Sequence, residues 1–554
     1  MSRPPALFLA ADAFEVRTER LMGRQSAGNG FLRGFAQAWS VADAAPLYLV
    51  CPTEKDAQQA SVLLRSAGLG LATTFLPANR PATWQNFDVL HFPAPPSTGL
   101  AWQRARHGME AFAISGVTHT ISSDNVMRQL AEYVHGPFAP WDALICTSRS
   151  VLRAVESIWG EQLEFLRWRL GATFSPAMPM LPVIPLGVPC DDFRYAEPER
   201  AATRAQLGYS KEDVVVLFVG RLSLHAKANP LPMYLACARA ASASGKRLRV
   251  LECGWFANDA IRESFDEAAR LAGVDVRRVD GREPGVTRLA YAASDIFCSL
   301  SDNIQETFGL TPVEAMAAGL PVVVSDWDGY RETVRDGIDG FLIPTCQPAV
   351  EACAQDLIDG YEDGRLSYDH YIAHAHLLVG VDIDACAQAI ARLAGDAELR
   401  QQMGAAACRR ARQAFDWAGV IGHYRSLWEE QAAMLAPQRA QTAQPKRRFN
   451  PGMPNPLAMF GHYPSHRLNE FSSIRRVAVD GSSVLGLRGL RMWHFANERL
   501  PVGPELIRAL EALPPAGEAG RAVGVWAREL GVPLAQGLRW AAWLLKVGLA
   551  SRAD

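Results

Sequence analysis

Residues 293–326 read ASDIFCSLSDNIQETFGLTPVEAMAAGLPVVVSD and place two carboxylates, Glu306 and Glu314, eight positions apart. Residues 293–300 and 320–325 are runs of apolar and β-branched side chains, which predict two short buried strands. A helix is predicted between them, and Gly319 is typical of its C-terminal end. The stretch therefore predicts a β-α-β unit, the building block of a parallel sheet covered by helices.

The start of this helix carries the functional prediction. Thr311 is typical of an N-cap, Pro312 of the first helical position, and Glu314 lies three residues past the cap. Free amides and the helix dipole suit such a junction to an anion such as a phosphate. A capping box without any ligand explains Glu314 equally well. Glu306 is different, because it lies in a loop where its apolar neighbours give a carboxylate no structural role.

The order of these residues resembles the retaining glycosyltransferases of family 4, of the group 1 type. Their hallmark is Glu-x7-Glu followed by a small-residue helix and a Gly-Leu-Pro-Val strand, and residues 306–326 match it. The resemblance implies an α/β protein of the GT-B fold, with two Rossmann-like doubly wound domains facing a cleft. It also implies a nucleotide diphosphate sugar as the donor, and a glycan or a lipid-linked molecule as the acceptor.

The same resemblance implies roles for the residues around the helix start. Glu306 would orient the hydroxyls of the sugar, and Glu314 would accept hydrogen bonds from the ribose of the nucleotide. Amides near the start of the helix would stabilise the departing phosphate. The other residues expected to bind the donor are Phe308, Gly309, Leu310, Thr311 and Gly220.

A second segment, residues 214–230 (VVVLFVGRLSLHAKANP), predicts a strand, a loop and the start of another helix at Asn229. Family members carry an Arg and a Lys in this loop that hold the diphosphate of the donor. The resemblance implies this role for Arg221 and Lys227. The loop is one residue longer than the usual spacing and has Ala228 where glycine is common. His225 therefore competes with Lys227 as the phosphate contact, and a solvated surface lysine is the alternative.

Two features of the first domain match places where the family approaches its ligands. Residues 23–30 (GRQSAGNG) predict a Gly-rich loop, and the resemblance implies that Gly28, Asn29 and Gly30 approach the acceptor and the sugar phosphate. A plain turn explains the glycines equally well. His119 follows a predicted strand and is similar to a family residue that contacts the donor sugar, with a structural histidine as the alternative.

Strands and helices alternate along the first two thirds of the chain, which predicts parallel, doubly wound sheets. The predicted strands are 7–10, 47–51, 89–92, 113–118, 143–147 and 183–186, and then 214–220, 248–253, 274–279, 295–300, 321–325 and 341–343. The predicted domains are a Rossmann-like acceptor domain (1–200) and a Rossmann-like donor domain (201–415). They are followed by a helix that crosses back to the first domain (416–435) and a linker (436–456). A small, mainly helical and winged-helix-like accessory domain (457–554) comes last.

The C-terminal segment differs from the rest in charge. Residues 441–554 carry a net charge of +7, and the first 440 residues carry −9. Three short helices are predicted at 506–513, 520–530 and 533–547, with Leu530-Gly531-Val532-Pro533 as the turn of a helix-turn-helix. The last helix is apolar where a recognition helix needs polar side chains. We therefore expect this segment to bind a protein partner or form homo-oligomers, and not to bind nucleic acid.

Composition is typical of a large enzyme of two or three domains, with 554 residues, 49% hydrophobic and 21% charged. The ten cysteines are scattered without a Cys-x-x-Cys pair, which favours a reducing compartment. No run of about 18 apolar residues occurs. We expect a cytoplasmic protein, with peripheral membrane contact left open. Asp326-Trp327-Asp328 and Asp382-Ile383-Asp384 are weak Asp-x-Asp matches explained by turns and caps, so neither a metal nor a cofactor is expected.

Three functional readings follow from the sequence. The first is a retaining, metal-independent sugar transferase, which Glu306 and the pair Arg221 and Lys227 favour. The second is a nucleotide-sugar epimerase or a phosphorylase on the same architecture, although no lysine in a setting typical of pyridoxal phosphate is found. The third is a catalytically silent protein that binds a nucleotide sugar and carries an interaction domain.

Overall fold

The computed structural model describes residues 4–10, 13–14, 23–40, 45–84, 86–171, 173, 175–283, 285–441 and 450–553. The chain divides into two compact units, Met1–Asn450 and Pro451–Asp554. The first unit contains two six-stranded sheets, and the second contains a small three-stranded sheet. Among the described residues, no helix has both the length and the apolar character needed to cross a membrane.

The first sheet is parallel and has the strand order of a Rossmann fold. Its strands are β1 (Ala6–Phe8), β2 (Leu47–Cys51), β3 (Thr73–Pro77), β4 (Val89–Phe92), β5 (Ala113–Val117) and β6 (Ala143–Ile145). They lie in the order β3-β2-β1-β4-β5-β6. The helices of this domain are α1 (Gly23–Ala38), α2 (Glu54–Ser66), α3 (Thr98–Ala105), α4 (Asp124–Ala131) and α5 (Arg149–Leu170). The chain reverses its direction of winding between β1 and β4, as in doubly wound folds.

The second sheet repeats this plan. After α6 (Glu197–Gln206), its strands are β7 (Asp213–Val219), β8 (Arg247–Gly254), β9 (Val276–Asp280), β10 (Ile296–Ser299), β11 (Val322–Ser325) and β12 (Gly340–Ile343), in the order β12-β11-β10-β7-β8-β9. The helices between them are α7 (Pro230–Ser244), α8 (Asp259–Ala272), α9 (Val286–Ala293), α10 (Leu310–Ala317) and α11 (Tyr330–Thr333). The winding reverses between β7 and β10, so the loops after these two strands meet at the carboxyl edge.

Helices complete the first unit after β12. A two-stranded antiparallel pair, β13 (Thr345–Cys346) and β14 (Gly380–Val381), encloses α12 (Val350–Cys353), α13 (Gln355–Glu362) and α14 (Tyr368–Ala375). Then come α15 (Ile383–Gly395), α16 (Ala397–Arg410) and α17 (Trp417–Ala440). Helix α17 packs against α1 of the first domain, and its Gln431 donates to the carbonyls of Ile114 at 3.0 Å and Trp141 at 2.9 Å.

The second unit is mainly helical, as expected, with a small sheet that was not predicted. Its elements are α18 (Pro456–Met459), β15 (Ser473–Arg476), α19 (Gly481–Gly489), α20 (Gly503–Glu511), β16 (Arg521–Ala522), α21 (Val523–Leu530), α22 (Leu534–Lys546) and β17 (Ala550–Arg552). The sheet is antiparallel in the order β16-β15-β17. Leu506, Trp526 and Trp540 lie in its core, and the predicted turn at Gly531 joins α21 to α22.

The fold class is confirmed, namely two Rossmann-like domains and a small helical C-terminal domain, but several local predictions are wrong. In the segment 183–186 one isolated bridge, between Val183 and Cys146, takes the place of the predicted strand, because Pro182 and Pro185 have no amide hydrogen for a ladder. Strand β3 was not predicted. The predicted linker begins too early, since α17 runs to Ala440, and its residues 442–449 lie outside the described part of the chain.

The predicted Gly-rich loop is also wrong, because residues 23–30 belong to helix α1. A side chain at Gly28 would overlap the carbonyl of Ala13, and one at Gly30 would overlap the indole of Trp417. These glycines therefore let α1 pack closely against its neighbours. Tertiary packing here overrides the low helix propensity of glycine.

Candidate active site

The candidate site lies where the loops after β7 and β10 meet. Arg221 and Lys227 lie on the first loop and Glu306 on the second. The ammonium nitrogen of Lys227 lies 3.0 Å from Oε2 of Glu306. Two residues predicted from separate sequence blocks are thus in direct contact. Doubly wound sheets bind their ligands at such a switch point.

Glu306 lies in a loop, as predicted, and is held by several donors. Its side chain is 11% exposed. Besides Lys227, the amide of Thr307 donates to Oε1 at 3.3 Å and the hydroxyl of Tyr330 donates to Oε2 at 3.5 Å. These contacts hold the carboxylate in one orientation beside a cation.

Arg221 lies within the electrostatic field of the same carboxylate. Burial lowers the pKa of Arg221, and the negative charges of Glu306 and Asp369 oppose that effect. A partly buried guanidinium keeps its charge at all physiological pH values. The loop after β7 therefore brings two cations to the neighbourhood of Glu306.

The identity of the phosphate contact in this loop remains a prediction, but the two candidates differ in their surroundings. Lys227 contacts Glu306. The pKa of His376 is lowered mainly by burial, and the positive charge of His225 adds a smaller effect in the same direction. Lys227 therefore pairs with the carboxylate of the candidate site, whereas His225 lies within electrostatic range of His376.

Helix α10 begins earlier than predicted, and the predicted capping box is wrong. Gly309 is the N-cap, with a left-handed φ of 89°, and no side chain caps the helix. A side chain at Gly309 would overlap the ring of Tyr330, so this position requires glycine on both steric and conformational grounds. Thr311 lies inside the first turn and is not the cap.

Glu314 is consequently free of any capping role. Its Oε2 accepts a hydrogen bond of 2.8 Å from the hydroxyl of Tyr291. Burial raises the pKa of Glu314, and this hydrogen bond partly offsets the effect. A buried carboxylate at the first turns of a helix needs polar partners, and one of them is Tyr291, a residue that was not singled out from the sequence.

The other residues expected to bind the donor surround the same junction. Phe308 is buried, and its ring packs edge-on against Phe415 with the centroids 5.9 Å apart. Only the backbone of Phe308 is therefore available to a ligand. The first amides of α10, including those of Leu310 and Thr311, have no partner within the helix. Gly220 follows β7 directly, and its amide donates to the carbonyl of Cys253 at 3.0 Å.

The first domain contacts the loop that carries Glu306. The hydroxyl of Thr307 donates to the carbonyl of His119 at 2.9 Å, and the hydroxyl of Ser148 donates to the carbonyl of Thr307 at 3.0 Å. The amide of Arg149 donates to Glu332 at 2.5 Å. The structure therefore places His119 next to the loop that holds Glu306, although the contact runs through its backbone.

Gly28, Asn29 and Gly30 contact other parts of the first unit. The side-chain amide of Asn29 donates to the carbonyl of Phe14 at 3.3 Å. The two glycines pack against Ala13 and Trp417. Their expected role towards an acceptor stays a prediction, now for residues of a helix and not of a loop.

Asp328 was assigned only a turn role from the sequence, but it lies close to the site. It adopts a left-handed φ of 44°, which is unusual for a residue other than glycine. Burial raises its pKa to about 7, and the charge of Glu306 contributes to the rise. Its Oδ1 lies 3.5 Å from the hydroxyl of Ser148. No sequence pattern distinguishes it from an ordinary turn aspartate.

The other Asp-x-Asp carboxylates have local partners. Asp326 pairs with Arg331 at 2.8 Å, and Asp384 pairs with Arg239 at 2.5 Å. Asp382 caps α15 by accepting from the amide of Ala385 at 2.9 Å. Across the described ranges, no three His, Cys, Asp or Glu side chains are grouped so that they could hold a metal ion.

Residues 199–373 match the family described as glycosyl transferases group 1. A D-inositol 3-phosphate glycosyltransferase of Corynebacterium kroppenstedtii is 32% identical over 177 residues, which are 30% of this chain and 37% of that protein. A phosphatidyl-myo-inositol mannosyltransferase of Mycobacterium tuberculosis is 32% identical over 195 residues, which are 35% of this chain and 46% of that protein. The chain thus spans less than half the length of these two relatives.

A solved structure shares the architecture of the first unit. The crystal structure of HepE from Anabaena in complex with UDP and glucose has a TM-score of 0.50 and 16% sequence identity, covering 76% of this chain and 98% of that one. At this identity the likeness shows the fold.

Proposed function

We propose that this chain, whose residues 199–373 match the group 1 glycosyl transferases, transfers a sugar from a nucleotide diphosphate donor to an acceptor hydroxyl. The observation that carries the proposal is the contact of Lys227 with Glu306, with Arg221 in the field of the same carboxylate. Two cations that can bind a diphosphate and a carboxylate that can bind a sugar thus lie at one switch point.

In the proposed reaction, the bond between the anomeric carbon and the phosphate oxygen breaks as the acceptor oxygen attacks. Negative charge then grows on the departing diphosphate. Arg221, Lys227 and the first amides of α10 can stabilise that charge, because they are held in place before the reaction begins. These groups lower the barrier by electrostatic stabilisation.

The proposal includes retention of the anomeric configuration. The acceptor attacks on the face that the diphosphate leaves, and the departing phosphate oxygen receives the proton of the acceptor hydroxyl. Neither carboxylate has to act as a general base. Glu306 orients the sugar hydroxyls and Glu314 accepts hydrogen bonds from the ribose. The raised pKa of Glu314 supports this role, because a polar ligand would improve the solvation of the carboxylate.

No metal or cofactor is part of this proposal. The charge that a divalent cation supplies to a diphosphate in other enzymes is supplied here by Arg221, Lys227 and the helix terminus.

The acceptor we propose is a glycan or a lipid-linked hydroxyl. Two relatives are named for inositol phosphate and for phosphatidyl-myo-inositol, so we would try inositol-containing acceptors first. A solved neighbour contains UDP and glucose, so we would try UDP-glucose first as the donor. We place the reaction in the cytoplasm.

A thermal-shift screen with nucleoside diphosphates and nucleotide sugars tests the proposal. A ligand at 100 times its Kd stabilises the native state by about 2.7 kcal/mol. The expected result is stabilisation by one nucleoside diphosphate and its sugar, and loss of that stabilisation in Lys227→Ala. The bound donor is then incubated with acceptors, and the anomer of the product is read by NMR.

The alternatives give different outcomes in the same experiment. A silent binding protein would be stabilised by the nucleotide sugar without forming a product. An epimerase would change the sugar of the donor in the absence of an acceptor. Absence of stabilisation by every nucleoside diphosphate would contradict the proposal as a whole.

A further inference from the structure

Three consecutive residues after β10 hold the loop that carries Lys227. Ser301, Asp302 and Asn303 are 1%, 3% and 1% exposed, although each has a polar side chain. Burying a polar side chain is unfavourable unless it forms hydrogen bonds. The partners of these three side chains therefore indicate what they do.

All three partners are backbone groups of the loop after β7. The hydroxyl of Ser301 donates to the carbonyl of Lys227 at 3.3 Å. Oδ2 of Asp302 accepts from the amide of Asn229 at 3.4 Å. The side-chain amide of Asn303 donates to the carbonyl of His225. The contacts fall on residues 225, 227 and 229, on both sides of the lysine and on the lysine itself.

The backbone of this segment is in turn held by side chains at and just after the end of β11. The carbonyl of Ser301 accepts from the hydroxyl of Ser325 at 2.6 Å, and the carbonyl of Asn303 accepts from the indole of Trp327 at 3.1 Å. Oδ1 of Asn303 accepts from the amide of Gln305 at 2.8 Å. The clamp, as we call residues 301–303, is thus anchored to the strand end and presents its donors and acceptor to the loop.

The loop needs such support because its residues belong to neither a helix nor a strand. Residues 221–229 form an extended turn between a strand and a helix, and the side chain of Lys227 is 35% exposed. A lysine has a long, flexible side chain that loses rotamer freedom when it is held. Fixing the backbone on both sides reduces the number of positions that the ammonium can reach.

We propose that Ser301, Asp302 and Asn303 are positioning residues that hold the backbone of residues 225–229 so that the ammonium of Lys227 meets the diphosphate of the donor. The inference rests on the proposed function, in which Lys227 contacts the diphosphate. None of the three needs to touch the substrate. Their effect on binding passes through Lys227.

The test uses Ser301→Ala and Asn303→Ala in the full chain, with Ile304→Ala as the control. Ile304 lies in the same loop, is 40% exposed and carries no polar side-chain atom. Affinities for UDP and uridine, and for GDP and guanosine, are measured by calorimetry. The ratio of diphosphate affinity to nucleoside affinity isolates the part of binding that depends on the phosphates.

We expect both clamp variants to lower this ratio about tenfold, in the range for a lost hydrogen bond to a buried group, and Ile304→Ala to leave it unchanged. Lys227→Ala combined with either clamp variant should lower the ratio little more than Lys227→Ala alone, because the effects of residues that act through one another are not additive.

Asp302→Asn keeps an acceptor for the amide of Asn229 and should retain the ratio, whereas Asp302→Ala should lower it. Ser301→Ala removes one hydroxyl only and serves if Asn303→Ala does not fold.

Four results would overturn the inference. Clamp variants that weaken nucleoside and diphosphate binding equally would have a structural effect only. Full additivity with Lys227→Ala would show that the clamp does not act through the lysine. If Lys227→Ala weakens diphosphate binding and neither clamp variant does, this inference fails and the proposed function stands. If the native chain binds no nucleoside diphosphate, both fail.

Discussion

Glu306 accepts hydrogen bonds from several donors, which compensate its charge in the folded protein although Asp328 lies within its electrostatic range. Its three partners are the ammonium of Lys227, the amide of Thr307 and the hydroxyl of Tyr330. A side chain so held, at a loop position without a capping role, is suited to contact a ligand. Changing it should alter chemistry more than folding.

We predict that Glu306→Ala abolishes sugar transfer and changes the melting temperature little. The ion pair with Lys227 is partly exposed, and such pairs contribute about 1 kcal/mol or less to stability. Transfer is followed with the donor found in the screen, and folding by thermal melting. Gln305→Ala, one position earlier, is the control with expected normal turnover. Near-normal turnover of Glu306→Ala would contradict the assignment of the site.

Asp302 provides a prediction about pH. Burial raises its pKa to about 7, and the amide of Asn229 partly opposes this. A carboxyl group whose pKa is higher in the folded state makes its full contribution to stability at a pH below its unfolded pKa of about 3.9. This contribution is lost as the pH rises through the folded pKa.

Asp302→Asn should therefore become more stable relative to the native chain as the pH rises from about 4 to 8, because the amide never acquires a charge. Melting temperatures of both proteins across this range give the difference directly. A difference that stays constant with pH, or that shrinks as the pH rises, would show that the carboxyl group is ionised without cost.

At the scale of elements, the two helices that begin near ligand positions are set by packing. Gly309 is the N-cap of α10, and the ring of Tyr330 occupies the space that a side chain would need there. Helix α1 begins within a glycine-rich stretch because Trp417 of α17 and Ala13 come close to its backbone. Sequence propensity predicted a later start for the first and no helix for the second.

We predict that Gly30→Ala destabilises the protein by about 1 to 3 kcal/mol, the usual cost of overpacking a tight core. The new methyl group would overlap the indole of Trp417. Gly160→Ala, in helix α5, is the matched control, because nothing lies within 4 Å of its added methyl group, and it should be neutral or stabilising. Chemical denaturation measures both. If Gly30→Ala keeps full stability and only loses activity, the glycine serves the ligand and not the packing.

The turns and caps that contain the Asp-x-Asp pairs lead to a separate prediction. Asp326, Asp382 and Asp384 are each engaged by a cation or a helix amide. We expect transfer to continue at an unchanged rate in excess EDTA. A strict requirement for added manganese would reverse this and direct attention to Asp326 and Asp328.

At the scale of the whole molecule, the two units differ in charge and composition. The second unit has its own core around Trp526 and Trp540, and it exposes several large apolar side chains, among them Leu457, Phe471 and Phe495. Exposed apolar groups together with a basic charge balance favour a role in association.

We predict that a chain ending at Gln441 still binds the nucleotide diphosphate, because α17 is kept complete, including Arg439 at its end. The ionic contact of Arg439 with Asp88 ties this helix to the first domain at 2.5 Å. Size-exclusion chromatography with light scattering should show a changed oligomeric state or a lost partner. Loss of donor binding in a soluble truncated protein would contradict this. So would tight, salt-dependent binding of duplex DNA by residues 451–554.

The fold class, the resemblance to group 1 glycosyl transferases and the residues most worth testing can be read from the sequence alone. Runs of β-branched residues, separated by amphipathic helices, predict parallel strands because burial on both faces requires such runs. The spacing of Glu306 and Glu314 depends on a strand, a loop and a helix that are all local in the chain. Local patterns of this kind are readable without knowing which elements pack together.

Which residues lie in contact depends on how the elements pack in three dimensions. Lys227 and Glu306 are 79 positions apart and come together because β7 and β10 are neighbours in the sheet. The clamp at residues 301–303, the partner of Glu314 and the start of α10 depend on side chains from other elements, since a buried polar group must find its partner wherever the fold provides one. Glycines 28 and 30 belong to a helix for the same reason: what occupies the space beside them comes from distant parts of the chain.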